Sequence, residues 1–298
     1  MQFPGNLGAL MEKNQHVLHS RSLSGDSGEL CSFCRQSVGG DWMSFSARRL
    51  SPGEVWETQH PGEETVHVVL LGKCLADWGA GRQTIGERKS VFDGLPYALY
   101  LAPGDRVRYQ ATTVCEFAEC HVPAEGKFPS RLVTPKEAST SLRGGGNASR
   151  QIVDVIPPAI PAEHLIAVEV YTPGGNWSSY PPHKHDVHNP PNEADLDEIY
   201  YYRTNHPSAF AHQRLYSPDE SRDLVVTARD GDVVLIRDGY HPVVAGPGYD
   251  VYYLNFIAGS WRTLANTEDP RHKWIRNSWK EIDPRLPLVR AEQAVHSE

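Results

Sequence analysis

Two histidines two residues apart, His183 and His185, open the part of this chain where chemistry is legible. On a strand, residues i and i+2 share a face, so both imidazoles can address one point. Glu198 follows at the head of the strand-like run EIYYYR, and His241 stands just past Gly239 after the run DVVLIRDG. Three imidazoles and one carboxylate from separate strands can occupy four corners of an octahedral metal, leaving two adjacent positions for a substrate. With 14 histidines, a chain can carry His-x-His on a surface loop by composition alone. The joint occurrence of the pair, the downstream Glu and the Gly-x-His turn is what points to a metal.

Something must hold these four residues together. From Asp41 onward the chain reads as short runs of period-2 or solid apolar character (WMSFSARRL, ETVHVVLLG, YALYLAPGD, CEFAECHVPA), punctuated by Pro-Gly turns. The rhythm resumes in QIVDVI, HLIAVEVYT, EIYYYRT, DVVLIRDG and DVYYLNFIAG, with no sustained helical period. Aligning Gly104 with Gly239 relates the halves as a weak repeat and sets Arg106 opposite His241. The expected fold is all-β, two small barrels in tandem, with only the second carrying histidines where chemistry can sit. The expected organisation is an N-terminal extension over 1–40, a first barrel without a metal site over 41–123, a connector over 124–150, a metal-binding barrel over 151–285 and a tail over 286–298. The tail pattern WRTLANTEDPRHKWIRNSWKEIDPR allows one or two short helices.

Composition narrows the partners. The 298 residues carry 29 Lys+Arg against 37 Asp+Glu, a net charge of −8, which argues against nucleic acid and against an anionic membrane surface. No apolar run approaches the ~20 residues of a membrane-spanning helix. No secretory signal pattern opens the chain, and five cysteines, an odd number, fit a reducing compartment, so a cytoplasmic location is expected.

The His-x-His, Glu and Gly-bounded His pattern is the two-part cupin signature, with a longer gap before Glu198 and with His241 one residue nearer its Gly than in the generic motif. The run EVYTPGGNWSSYPPHKHD (169–186) goes further. With NPPNEADLDEIYYYR, RDGDVVLIRDGYHPVVAGPGYDVYYLNFIAG and the surroundings of Trp261-Arg262 and Asp269-Pro270, it resembles the bacterial 5-deoxy-glucuronate isomerase family of myo-inositol catabolism. The resemblance covers about residues 41–285. It implies a bicupin of two jelly-roll barrels, kinship with the 4-deoxy-5-ketouronate isomerases, and a ketol-isomerase acting on a deoxy-uronic acid. It implies His183, His185, Glu198 and His241 as ligands of one divalent metal, zinc first, with manganese, iron or nickel as alternatives. It also implies a small sugar acid as partner and a homo-oligomer.

That reaction needs a Lewis acid on two adjacent oxygens and a group that moves a proton between adjacent carbons. If Glu198 points inward, Tyr200 and Tyr202 do too, while Tyr201 and Arg203 point out; Lys184 faces away from its neighbouring ligands. Tyr202 and Tyr200 are therefore the favoured polar site groups, with His188 and Asp186 as further candidate bases. A substrate carboxylate needs a cation. Arg150 and Arg214 are the favoured choices over Arg203 and Arg262. Competing readings of the same site are an Fe(II) cupin dioxygenase and a non-catalytic sugar-acid-binding cupin.

Overall fold

The computed structural model describes residues 16–20 and 27–290. Val, Tyr and Phe crowd into short runs between Gly and Pro turns, and these runs become strands paired antiparallel. Among the described residues, helix is confined to short 3₁₀ segments, Arg35–Val38, Gly146–Ala148 and Lys273–Ser278, the last within the tail pattern. In the first half, a six-stranded sheet holding Ser44–Leu50, Glu63–Leu71 and Cys115–Pro123 closes over a four-stranded sheet holding Val55–Gln59 and Arg106–Ala111. In the second, an eight-stranded sheet holding Ile166–Thr172, Glu193–Thr204 and Val251–Gly259 closes over a four-stranded sheet holding Phe210–Tyr216 and Val243–Ala245.

The repeat is visible in strand order. Ala98–Leu101, Glu63–Leu71, Cys115–Pro123 and Ser44–Leu50 lie side by side in the same order as Val233–Ile236, Glu193–Thr204, Val251–Gly259 and Ile166–Thr172. The two large sheets pack back to back. Ile199, Tyr201, Leu254 and Phe256 meet Phe45, Val66, Val68 and Ala118, with the Phe45 ring 5.4 Å from Tyr201 and 6.2 Å from Phe256. The alternate residues of the same strands, Tyr200, Tyr202, Tyr253 and Ile257, line the interior of the second barrel. Both faces of these strands are thus buried, which is why VYYLNFIAG reads as solid apolar sequence rather than alternation. Each large side chain so buried contributes about 1.5–3 kcal/mol.

The segment boundaries differ from the sequence reading at three places. Within 1–40, Val17–Leu18 pairs with Val233–Val234 of the second barrel, and Gly28–Phe33 pairs with Ser44–Leu50 of the first; residues 1–15 and 21–26 lie outside the described residues. Within 124–150, Arg131–Val133 extends the first barrel along Ala98–Leu101, and Ser139–Arg143 extends the second along Arg150–Ile156. The connector is therefore shared between the barrels. These are short edge strands, and Ser139–Arg143 is largely exposed, so neither carries the apolar alternation that announces a strand. In the tail, Val289 is buried and exchanges backbone hydrogen bonds with the Gln151 amide; residues 291–298 lie outside the described residues.

Candidate metal centre

His183 and Lys184 form a two-residue strand paired with Thr267–Glu268 from the tail. Asp269 anchors that pairing: it is buried, its backbone N–H donates to the Pro182 carbonyl, and its carboxylate accepts from the Tyr216 hydroxyl at 2.7 Å and from the Arg271 guanidinium. Burial raises the Asp269 carboxyl, but the Arg271 and Tyr216 bonds outweigh it and hold it at about 2. Lys184 turns away, as the alternation requires, onto Asp186 and Glu193. Glu198 comes from the long strand Glu193–Thr204 and points into the barrel beside Tyr200. His241 is set by the Gly239 turn. There φ is +78°, and a Cβ would lie 2.6 Å from the Tyr216 carbonyl oxygen, so only glycine fits. The Gly239 N–H donates to Asp186 at 2.8 Å.

The three imidazoles share one arrangement. Nδ1 of His183, His185 and His241 lies 3.3, 2.9 and 3.0 Å from the backbone carbonyls of Pro181, Leu196 and Gly239. A carbonyl only accepts, so each Nδ1 carries a proton, and Nε2 is the atom each ring turns to the site, with a lone pair there whenever the ring is neutral. Nε2 of His185 and of His241 lie 3.0 and 3.3 Å from the same Glu198 oxygen. Donor atoms on metal bonds of about 2.1 Å, spread by 90–110°, stand about 3.0–3.4 Å apart. The His183 ring lies 4.9 Å from that of His241, and His183 lines a cavity together with His185 and Glu198. Nε2 of His241 is buried with no hydrogen-bond partner among the described residues. Burial raises Glu198, but the facing His185 and His241 imidazoles outweigh it and bring it to about 2. Burial and the two neighbouring imidazoles hold His183 down at about 3. Donor atoms of His185, Glu198 and His241 lie within 4.8 Å of one another, a donor set for a divalent cation, with the His183 ring next to them and the backbone carbonyls fixing the rings' orientation.

His183, His185 and Glu198 form one wall of a cavity of about 420 Å³, with His241 buried behind them. Tyr200 lines it, with its hydroxyl 2.9 Å from Ser179 Oγ. Arg150 lines it and is buried; among the described residues its guanidinium bonds only to the Ala148 carbonyl, and burial lowers it to about 10, still charged at neutral pH. Tyr202 does not reach the cavity. Its hydroxyl donates to Gln213, whose amide donates to the His241 carbonyl, so it props the strand end behind the ligand. Arg214 points out of the barrel, because its neighbour Gln213 takes the inward position. It forks onto Asp223 and stacks 4.1 Å over Tyr216. His188 bonds Ser260 on the surface, Asp186 is engaged by Lys184 and Gly239, Arg203 spans to Glu116 of the first barrel, and Arg262 holds three backbone carbonyls.

Several lining residues were not singled out from sequence. Tyr253 and Asn255 share the inward face of Val251–Gly259, and the same alternation that selected Tyr200 could have found them. Arg143, Arg276 and Glu268 also line the cavity. They arrive from edge strands and the tail, where sequence gives no signal. Glu268 sits directly across the strand pair from His183, held by Arg276.

The oxalate decarboxylase of Lactobacillus farciminis superposes with a TM-score of 0.59 over 85% of this chain and 88% of its own, at 11% identity. Paired barrels with this strand order make the protein a bicupin. The sequence matches the KduI/IolB family over residues 17–275, and the chain belongs to that family. It is 41% identical to the 5-deoxy-glucuronate isomerase of Geobacillus thermodenitrificans over 255 residues, 85% of this chain and 93% of that protein. An IolB-like protein of Salmonella typhimurium LT2 superposes with a TM-score of 0.84 at 33% identity, covering 88% of this chain and 99% of its own. The chain is an enzyme of this family. Among the described residues no helix is long and apolar enough to cross a membrane.

Proposed function

We propose that this enzyme converts 5-deoxy-glucuronate, an aldehyde acid, to the isomeric 2-deoxy-5-keto acid, with one divalent metal held by His183, His185, Glu198 and His241. The observation that carries the reading is the imidazole arrangement: backbone carbonyls hold Nδ1 of three histidines, and Nε2 of His185 and of His241 face one buried Glu198 oxygen, beside a cavity that also holds an arginine with no carboxylate partner among the described residues. The relatives' activity supplies the substrate class. A bound divalent metal would supply Lewis-acid polarisation of two adjacent substrate oxygens, and zinc suits the donor set, as do manganese, iron and nickel.

The remaining work falls to side chains. Arg150 binds the substrate carboxylate, with Arg143 beside it at the cavity wall. With the carboxylate held there, the carbonyl end of the sugar acid is the end left for the imidazole set in the same cavity. Burial and the Glu198 charge push the Tyr200 phenol well above its ordinary range, so it keeps its proton and acts as a donor to substrate oxygen. Ser179 links it to Tyr253 at 3.4 Å. Glu268, beside His183, is the cavity carboxylate placed to take and return the proton between adjacent carbons. The proposal includes a step in myo-inositol catabolism, a cytoplasmic location and a homo-oligomer; five free cysteines accord with a reducing compartment.

Proton NMR in D₂O tests it, with 5-deoxy-D-glucuronate and three samples: metal-replete, chelator-stripped and His183→Ala. The expected result is loss of the aldehyde-hydrate signal and growth of the keto acid in the first sample alone. Deuterium at the receiving carbon indicates proton transfer through an enediol; its absence indicates a shielded proton or a hydride shift. No turnover with any divalent metal overturns the assigned substrate, and oxygen uptake replaces it with a dioxygenase.

A further inference from the structure

The first barrel, which the sequence reading left without chemistry, contains a second histidine–carboxylate cluster. Along Glu63–Leu71, Val66, Val68 and Leu70 face the other barrel, so Glu63 and His67 face their own interior. Along Cys115–Pro123, Ala118, Cys120 and Val122 face the other barrel, so Glu119 and His121 face inward as well. The register sets Glu119 opposite His67. His60, from the turn before Glu63, closes the group, with its Nε2 3.1 Å from Glu119 Oε1. We propose that His60, Glu119 and His121 bind a divalent transition-metal ion of the zinc class, independent of the site in the second barrel.

Four observations carry this. One donor atom from each of the three residues lies within 4.8 Å of the others. The His60–Glu119 separation is the edge that metal bonds of about 2.1 Å subtend at about 95°. His121 Nδ1 donates to Glu63 at 2.6 Å, and Glu63 is itself held by Arg35, which leaves the His121 lone pair on Nε2. That carboxylate–imidazole pairing is the one that orients metal-binding histidines. Finally, the cluster is under-satisfied without a cation. His67 is 0% exposed, and neither of its ring nitrogens has a partner among the described residues; its Nε2 faces Glu119 Oε2 at 3.4 Å, an oxygen that also lacks one. A buried carboxylate oxygen and imidazole left unpaired are costly, and a cation on Glu119 relieves the carboxylate. The His60 and His121 side chains are 21% and 16% exposed, so an ion can enter from solvent.

The site is not the repeat image of the other. His67 pairs with Glu119 and Leu99 as Tyr200 pairs with Asn255 and Val234. His67 and Glu119 therefore occupy the places of Tyr200 and Asn255, and the position equivalent to Glu198 is Thr65. Motif alignment passes over such a site because its donors come from different strand positions.

Metal content separates the two sites. Chelator-stripped full-length protein is dialysed against zinc and the bound metal measured per chain, with Co(II) absorption as a second readout. Wild type, His60→Gln/His121→Gln and Glu198→Gln/His241→Ala are compared, with circular dichroism to check folding. Two equivalents in wild type and one in each double variant are expected. One equivalent in wild type, kept in Glu198→Gln/His241→Ala and lost in His60→Gln/His121→Gln, upholds this proposal and overturns the metal in the proposed active site. One equivalent lost in Glu198→Gln/His241→Ala overturns this proposal and leaves the other intact. None in wild type overturns both. The wild-type stoichiometry stands even if a variant misfolds, and Glu119→Gln then replaces the histidine pair.

Discussion

Arg150 and Arg214 began as equal candidates for the substrate carboxylate, and one residue of strand register separates them. Arg150 opens its strand facing the cavity, with no carboxylate partner among the described residues. Arg214 alternates with the inward Gln213 and spends its charge on Asp223 at the surface. Arg150→Met is expected to raise KM by about 10–100-fold, the loss of hydrogen bonds between charged groups, with kcat changed far less. Arg214→Met is expected to leave both constants within about twofold and to cost about 1 kcal/mol of stability, since exposed ion pairs and stacked cations are worth little. Steady-state kinetics and thermal melts on the two variants check this; equal effects on KM would remove Arg150 from the carboxylate site.

At the scale of elements, the tail matters more than its sequence suggests. Thr267–Glu268 is the only strand partner of His183–Lys184 among the described residues, and Asp269 fixes it through Tyr216, Arg271 and the Pro182 carbonyl. Asp269→Asn keeps the shape but removes the charge on these bonds. The expected cost is about 2 kcal/mol at neutral pH. The Asp269 carboxyl sits at about 2 in the folded protein, below its ordinary value of about 3.9 when unfolded. Its stabilisation is therefore complete above about pH 4 and lost as pH falls through about 2. Thermal melts across pH 7 to 2 should show the gap between wild type and Asp269→Asn narrowing below about pH 4. A constant gap would show that the charge is not what anchors the strand.

The whole molecule is held by the contact between two large sheets, and a buried ion pair lies within it. Arg88 of the first barrel forks onto Glu169 of the second at 2.7 and 3.2 Å, both buried, and the hydroxyls of Tyr171 and Tyr252 donate to the same carboxylate. Removing one partner leaves a buried charge alone. Arg88→Met is expected to cost about 3–5 kcal/mol, and Arg88→Met/Glu169→Leu distinctly less, because the second change removes the stranded carboxylate. Denaturant unfolding of the three proteins checks the order; a double variant as unstable as the sum of both singles would contradict it. The same contact explains a feature of the sequence. Strands buried on both faces carry apolar residues at every position, so EIYYYR and VYYLNFIAG do not by themselves say which face belongs to the site.

The sequence by itself determined the β architecture and the tandem halves, because strand alternation and glycine turns are local and survive in one dimension; it pointed to the family through long matching runs, and to His183, His185, Glu198 and His241 as candidate donors through their spacing. It also brought Tyr200 and Arg150 to the cavity wall, by the parity of strand positions relative to Glu198 and by the approach of the connector. Only the tertiary structure decided the rest. Arg214 and Tyr202 fell away because a neighbour took the inward position or a hydrogen bond behind the site. Glu268, Arg143 and Arg276 arrived because the tail and an edge strand fold back over the barrel mouth, a long-range closure with no local pattern. The cluster of His60, His67, Glu119 and His121 formed because two strands and a turn, far apart in sequence, set their inward residues side by side, and no spacing along the chain records that register.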